Sequence, residues 1–411
     1  MKSSRPFSAL AYRNFRLFWF GQVISLTGTW MHSAAQGWLV LKITDSPFYL
    51  GLVSSVASMP VLFFTLAGGV IADRFSKKTI LLMTQTLLMF LALTLAILVS
   101  TKAVTVWHVM FIAFFIGTVN AIDIPARQSF LIEMVGKENL LNAIALNSAA
   151  FNGARTVGPA IAGVLIGYFG LAVCFYVNAL SFLAAIIALL KMRFENDKTE
   201  KIQRGGIKEE FIEGLKYLFS EPRIYTLIIA VGVISFFGFP YLVFLPVYAR
   251  DILKTGAAGL GILMGVAGAG ALTGAFSLAI RGDFAKKGLL LALSGVGFSL
   301  ALLVFSLSTT LWLSYSMLFL IGLGSISQVA TANSLLQIAV PDRLRGRIMS
   351  SFTMVFLGMA TLGNLAIGTL ASYVGTQAAL GIGAKFCLLG ILLLIWRKPG
   401  IYTDKKVESR E

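Results

Sequence analysis

Two long apolar runs are separated by a short polar turn, Gly69-Val-Ile-Ala-Asp73-Arg74-Phe-Ser-Lys77-Lys78. Lysines in such a turn are typical of any cytoplasmic loop between membrane spans. An aspartate such as Asp73 is not typical of this position, because a negative charge is unfavourable at the C-terminal end of a helix. The chemistry that these residue types suit is therefore ion pairing at a membrane surface.

The same turn recurs in the second half of the chain. Gly51, Asp73 and Lys77 match Gly261, Asp283 and Lys287 at an offset of 210 residues. At the same offset, Ser25 and Gly28 match Ser235 and Gly238. Two further sets match at an offset of 205 residues. Ser129, Leu131 and Val135 match Ser334, Leu336 and Val340, and Gly158, Gly163, Leu165, Tyr168 and Gly170 match Gly363, Gly368, Leu370, Tyr373 and Gly375. These rows in the same order predict two similar halves.

The composition excludes a soluble protein. Of 411 residues, 57% are hydrophobic and only 13% are charged, and the mean hydropathy is +0.84. Apolar runs long enough to cross a bilayer recur along the chain. We therefore predict an all-α, polytopic membrane protein.

The net charge of +16 reports topology rather than nucleic-acid binding. With spans placed by hydropathy, 28 of the 34 Lys and Arg residues share one side. Four lie opposite (Lys42, Lys102, Arg250, Lys254) and two lie inside spans (Arg155, Lys385). The positive-inside rule then predicts that both termini are cytoplasmic and that the basic side contacts anionic lipid.

Twelve spans are predicted, six in each half. They are 15–40, 48–72, 79–100, 105–125, 140–167 and 170–190, then 223–249, 257–280, 288–307, 311–335, 350–374 and 377–396. The predicted domains are a six-helix bundle at 1–190, a cytoplasmic linker with an amphipathic helix at 191–222, a second bundle at 223–398 and a cytoplasmic tail at 399–411.

The polar turn, read as G-x-x-x-D-R-x-x-[KR]-[KR], resembles the loop between helices 2 and 3 of the major facilitator superfamily, with Ser76 in place of the usual Gly. This resemblance implies a transporter with two pseudo-symmetric six-helix bundles and alternating access. It also implies a cytoplasmic latch, in which Asp73 faces the start of the helix near Ser350 and Lys77 or Arg74 pairs with Asp123.

Two further segments resemble one branch of that superfamily, which includes enterobactin exporters and macrolide-efflux proteins. Asp123-Ile-Pro-Ala-Arg127-Gln128 is predicted to end span 4, with Pro stopping the helix and Arg127 at headgroup height. Pro341-Asp-Arg-Leu-Arg-Gly-Arg347 is its counterpart before span 11. Gly28-Thr-Trp30 in span 1 belongs to the same resemblance.

Span 5 contains Gly153-Ala-Arg155-Thr-Val-Gly158-Pro159-Ala-Ile-Ala162-Gly163, which resembles the superfamily's antiporter signature with Ala162 in place of one Gly. Small residues allow close helix contact and Pro159 bends the helix. We expect contact with span 8 through Gly261, Gly265, Gly270 and Gly274. Generic small-residue packing is an equal alternative.

Two ionisable side chains lie deep in predicted spans. Arg155 has no evident carboxylate partner, so it either binds an anionic substrate group, satisfies backbone carbonyls or has a structural role. His32 is the only deep group whose intrinsic pKa suits a proton relay, although a hydrogen-bonding or substrate contact is the more common role of such a histidine.

A substrate cavity is expected from the polar and aromatic side chains of the spans that line it in the superfamily. The candidates are Gln22, Thr29, Trp30, His32, Gln36, Asn147, Phe236, Phe237, Tyr241, Gln328 and Asn333. Rings mixed with amides suit a bulky amphipathic ligand, whereas lipid-facing or interhelix packing is the alternative for the aromatic residues.

The sequence shows no phosphate-binding loop, metal cluster or nucleophile motif, so we predict neither an enzyme nor a metal or other cofactor. The predicted function is export of an amphipathic small molecule, a drug-like compound or a siderophore, across the bacterial cytoplasmic membrane by a monomer. Proton antiport is implied by the resemblance. A lipid or lysolipid translocator, a facilitated transporter without proton coupling and a non-transporting sensor are the alternatives.

Overall fold

The computed structural model describes residues 7–193, 217–281 and 286–397, and it is helical throughout these ranges apart from short turns. In the first half the helices are α1 (Arg13–Thr44), α2 (Pro47–Arg74), α3 (Lys77–Ser100), α4 (Val106–Phe169) and α5 (Leu171–Lys191). A 3₁₀ turn, Ser8–Ala11, precedes them. Most of the predicted amphipathic helix in the linker, and Asp283 of the repeated turn, lie outside the described residues.

The second half begins with α6 (Pro222–Phe237) and α7 (Tyr241–Val247), followed by a π-helical turn, Tyr248–Ile252. It continues with α8 (Gly256–Arg281), α9 (Lys287–Leu307), α10 (Leu311–Ala339), α11 (Asp342–Val374) and α12 (Thr376–Arg397). The span predicted at 223–249 is therefore divided into two helices after Phe237, because Gly238 and Pro240 break the helix there.

Helix α4 combines two predicted spans into one element with a kink at Gly136. Gly136 has φ 69° and ψ 175°, a conformation that favours glycine and that separates a first arm, residues 106–135, from a second arm, residues 137–169. The prediction that Pro125 ends span 4 is wrong. The next turns of the first arm bury Ala126, Phe130 and Met134 in the core, and this packing continues the helix beyond the proline.

Among the described residues, ten helices are long and apolar enough to cross a membrane. The two predicted spans that are missing from this set are α1 and the second arm of α4, so the count of twelve remains a prediction. Both are polar for spans: α1 contains Gln22, His32 and Gln36, and the second arm contains Asn147 and Arg155. Because of these polar side chains, a criterion based on mean hydropathy leaves both helices out of the set of candidate spans.

The chain divides into two compact units. The first comprises Met1–Gln203, Tyr248–Arg250 and Lys254–Gly265, and the second comprises Arg204–Val247, Asp251–Leu253 and Val266–Glu411. Each unit has a buried core of its own, formed around Phe15, Leu81 and Phe130 in the first and around Leu227, Leu291 and Leu336 in the second. Large apolar side chains also point outward along the helices, as lipid contact requires.

The internal repeat predicted from the sequence is visible in the backbone. Gly170 joins α4 to α5 with φ 85° and ψ 174°, and Gly375, 205 residues later, joins α11 to α12 with φ 84° and ψ 156°. Close helix crossings repeat as well: Gly117 packs against the carbonyl of Ala57, and Gly322 packs against the carbonyl of Ala267. The two halves therefore share local geometry at matched positions.

Candidate functional site

The first unit contains a cavity of about 450 Å³ between α1, α3, both arms of α4 and α5. Its wall combines rings, amides, hydroxyls and one ion pair. The wall includes the rings of Trp30, Phe151 and Phe182, the amides of Asn120, Gln128, Asn147 and Asn178, the polar side chains of Ser25, Thr29 and His32, and the pair Asp123 and Arg127. Helix α1 and the first arm of α4 thus contribute most of the polar wall.

Four of the predicted cavity residues line this space: Thr29, Trp30, His32 and Asn147. Two more contact residues of the wall from behind. Gln22 accepts a hydrogen bond from Arg127, and Gln36 Oε1 lies 3.1 Å from His32 Nε2.

The other five candidates belong to the second unit and do not line this cavity. Tyr241 and Gln328 are buried, Phe237 stacks on Phe386, the backbone of Phe236 contacts Gly363, and Asn333 Oδ1 accepts a hydrogen bond of 2.6 Å from Gln337. A substrate contact at these five residues remains a prediction.

Sequence reasoning did not assign three amides of the wall to the cavity: Asn120, Gln128 and Asn178. Asn178 lies in an apolar stretch of α5 and is 3% exposed, yet its amide reaches His32 Nδ1 at 3.2 Å. A polar side chain in the middle of a span is the signal that could have identified it.

His32 is held on both ring nitrogens. Asn178 Nδ2 donates to Nδ1, which leaves Nε2 as the donor to Gln36 Oε1. The ring also lies edge-on to Phe175, with centroids 4.9 Å apart. This arrangement fits the neutral imidazole and a positioning role in the cavity wall.

Arg155 lies in the second arm of α4 with its guanidinium 5.7 Å from the centre of the Trp30 ring, and Phe151 meets the same ring edge-on at 5.5 Å. A cation over an indole face is favourable by about 0.5–2 kcal/mol, depending on solvation. Arg155 therefore fixes an aromatic side chain of the cavity, a structural role that the sequence left open beside anion binding.

Asp123 is 1% exposed and forms an ion pair with Arg127 one turn later on α4. Its Oδ1 accepts hydrogen bonds from Thr84 Oγ1 at 2.6 Å and from Gln85 Nε2 at 3.0 Å, both on α3. Because the first arm of α4 continues past Pro125, these two residues lie within the helix rather than at its end. The position of Arg127 at headgroup height remains a prediction.

Lys77 does not pair with Asp123, as the resemblance implied, but with Glu133 at 2.6 Å. Glu133 lies ten residues beyond Asp123, which is roughly 15 Å along a continuous helix. Because the helix continues, Glu133 rather than Asp123 reaches the turn between α2 and α3.

The rest of the turn is placed as follows. Asp73 and Arg74 are exposed at the end of α2. A Cβ atom added at Gly69 would have no neighbouring atom within 4 Å, so this glycine is not required by close packing. Lys78 Nζ donates to the carbonyl of Met192 at 2.9 Å, just after α5 ends. The expected helix start near Ser350 is wrong, since α11 begins at Asp342 after Pro341. The role of Asp73 in a latch remains a prediction.

The small residues of the second arm make close contacts within the first unit. A Cβ at Gly158 would lie 2.7 Å from the carbonyl oxygen of Thr27, and one at Gly163 would lie 2.8 Å from that of Ala257. Gly261 approaches the carbonyl oxygen of Pro159 in the same way, at 2.6 Å. Contact between this motif and the start of α8 is thus confirmed, whereas Gly270 and Gly274 pack against α10 instead.

The profile of a family described as transmembrane secretion effector, within the major facilitator superfamily, matches residues 4–410. The chain belongs to this family. Proteins of the family are multi-pass membrane transporters rather than enzymes, which accords with the apolar helices described above.

Several curated relatives match almost the whole chain. The staphyloferrin A transporter of Staphylococcus aureus is 26% identical over 389 residues, covering 93% of this chain and 96% of its own. The multidrug efflux pump Tap of Mycolicibacterium fortuitum is 24% identical, covering 92% and 94%. The enterobactin exporter EntS of Shigella flexneri is 24% identical, covering 93% and 91%.

Solved structures support the fold alone. A bacterial homologue of the human lysosomal transporter Spinster superposes with a TM-score of 0.73 at 14% identity, covering 97% of both chains. The nucleoside transporter NupG superposes with a TM-score of 0.71 at 12% identity, covering 93% of this chain and 98% of its own.

Proposed function

We propose that the protein exports an amphipathic small molecule, a drug-like compound or a siderophore, across the bacterial cytoplasmic membrane by alternating access coupled to proton entry. The proposal includes twelve spans, cytoplasmic termini, bundles at 1–190 and 223–398, and a monomeric protein in contact with membrane lipids. Family membership supports a transporter, and the relatives named above transport siderophores or drugs.

The cavity wall carries the proposal. A volume of about 450 Å³ lies within the range of about 300–1,000 Å³ that small-molecule sites occupy. Trp30, Phe151 and Phe182 supply apolar area, while Asn120 and Asn147 supply hydrogen bonds. A wall of this kind suits a ligand that has both a ring system and polar groups.

Reconstitution in liposomes that enclose a pH-sensitive dye tests the proposal. A proton gradient of either direction is imposed, and lipophilic cations, macrolides and catecholate siderophores are added in turn. The expected result is proton flux that depends on one class of compound and that Trp30→Ala weakens by raising the concentration needed for half-maximal flux.

Trp107→Ala is the matched control, because Trp107 is 67% exposed at the start of α4 and outside the cavity wall. Substrate movement without proton flux would replace antiport by facilitated transport. Movement of lysolipid without a gradient would favour a lipid translocator. Transport of none of these compounds, with folded protein, would contradict the proposal.

A further inference from the structure

The carboxylate of Asp123 is the centre of a buried polar network that joins three helices. Thr84 and Gln85 bind it from α3, and Arg127 binds it from α4. Arg127 also donates to Gln22 Oε1 on α1. Ser25 Oγ of α1 completes the network by donating to Gln85 Oε1 at 3.3 Å.

Few other ionisable groups face this carboxylate. On α1, residues 17–41 contain His32 and no Asp, Glu, Lys or Arg, and on α5 residues 171–190 contain none of these either. On α3, Lys77 and Lys78 are held at the helix start by Glu133 and Met192. On α2, Asp73 and Arg74 stand at its exposed end. Arg127 is therefore the charged partner in direct contact.

Three ionisable side chains line the cavity: Asp123, Arg127 and His32. An arginine keeps its proton in proteins, which leaves Asp123 and His32 as candidates for a proton-binding group. His32 is bound in a way that opposes protonation. A second N–H at Nδ1 would need an acceptor, but Asn178 presents its amino group there while its Oδ1 accepts from Ser181. Donors also face both oxygens of Asp123, but one of them is the Thr84 hydroxyl, which can accept as well as donate. Its Oγ1 lies 3.1 Å from the carbonyl oxygen of Leu81 and can donate there instead.

The internal repeat places a neutral group at the matched position of the second unit. Gln328 follows Asp123 by 205 residues, and Gly295 follows Gln85 by 210. Gln328 is 1% exposed, and neither atom of its carboxamide has a hydrogen-bond partner among the described residues. A carboxamide does not bind a proton at physiological pH. The second unit therefore has a side chain that cannot bind a proton at the position that matches Asp123.

We propose that Asp123 is the proton-binding group of this transporter and that Arg127 is its positioning partner. The inference rests on the proposed function and deepens it. A proton adds to Oδ1 of the carboxylate, and the Thr84 hydroxyl accepts the new O–H while donating to the carbonyl oxygen of Leu81. The ion pair with Arg127 becomes a contact between a cation and a neutral acid. Protonation therefore weakens a pair within α4, while Arg127 keeps the bond to Gln22 that joins α4 to α1. Loss of the proton restores the pair.

Infrared difference spectroscopy between acidic and alkaline pH tests the site without any substrate. The full chain in liposomes, labelled with [¹³C]aspartate, is expected to show the C=O band of a protonated carboxyl at acidic pH, shifted by the label. Asp123→Asn is expected to lose the component of that band that belongs to a buried, water-excluded acid. Asp73→Asn is the control and keeps it, because Asp73 is exposed.

The same liposomes then report coupling. Asp123→Asn is expected to lose compound-dependent proton flux while still exchanging compound across the membrane. Trp107→Ala, outside the cavity wall, is expected to keep the flux. Asp123→Glu keeps a carboxyl and is expected to show the band of a buried acid without the isotope shift of the aspartate label, which distinguishes loss of the proton site from misfolding.

The outcomes separate this inference from the proposed function. If the unsubstituted protein couples protons and Asp123→Asn couples them equally well, the inference is wrong and the function stands. If the band does not depend on Asp123, the inference is also wrong. If the band depends on Asp123 but no compound moves, the proton site stands and the proposed function fails.

Discussion

Asp123 and Arg127 form an ion pair one helical turn apart on α4, inside the first unit and in the wall of its cavity. Arg127 is also the point at which α4 is bonded to α1, through Gln22. A charged pair in this position costs desolvation that its own attraction only partly returns, and removal of one partner leaves an uncompensated charge.

The stability of this pair is therefore expected to be strongly non-additive. Asp123→Ala and Arg127→Ala should each lower the free energy of unfolding by about 3–5 kcal/mol, and the double substitution should cost less than the sum. Chemical denaturation in detergent measures all four proteins. Lys77 and Glu133 are the reference pair, being partly exposed, and should give a coupling of roughly 0–1 kcal/mol. Equal coupling in both pairs would contradict the buried network.

Gly117 and Gly322 should tolerate no side chain. A Cβ at either position would overlap the carbonyl oxygen of Ala57 or Ala267, so Gly117→Ala and Gly322→Ala must push two helices apart. We expect each substitution to lower the free energy of unfolding by about 1–3 kcal/mol, as measured by chemical denaturation in detergent. Gly297→Ala is the control: no atom outside its own helix lies within 4 Å of that Cβ, and alanine favours the helix. A neutral effect at Gly117 would mean that α2 and α4 are not in close contact.

His32 should be neutral, with its proton on Nε2. Nitrogen NMR of [¹⁵N]histidine-labelled protein distinguishes the two tautomers and the cation. His32→Ala should strand the amides of Gln36 and Asn178 and cost about 1–3 kcal/mol for each group left unsatisfied, while compound-dependent proton flux persists. His108, the other histidine, is exposed and serves as the reference signal. Loss of coupling in folded His32→Ala would assign it a relay role instead.

The turns at Ser76 and Lys102, at opposite ends of α3, should face opposite sides of the membrane. After Cys174→Ser and Cys387→Ser, which remove two buried thiols, a membrane-impermeant maleimide added to whole cells should label Lys102→Cys and leave Ser76→Cys unlabelled. Labelling of Ser76→Cys should appear once the membrane is permeabilised. The reverse pattern would invert the predicted orientation, since the basic residues near the ends of α2 and α3 set it.

The sequence by itself determined that the chain is an all-helical membrane transporter with two related halves. The length of an apolar run decides whether a segment can span a bilayer. Gly170 and Gly375 adopt a backbone conformation with positive φ that other residues rarely adopt. Both signals are local, so they can be read from composition and spacing. The polar residues Thr29, Trp30, His32 and Asn147 were found in the same way.

Only the tertiary structure decided which charged groups meet. Pro125 predicted a helix end, but burial of Phe130 and Met134 carries α4 on to Gly136, which moves Asp123 into the core and brings Glu133 to Lys77. Such pairings depend on helix register and crossing angle, which are set by packing between segments distant in sequence. The buried ion pair of Asp123 and Arg127 became visible for that reason.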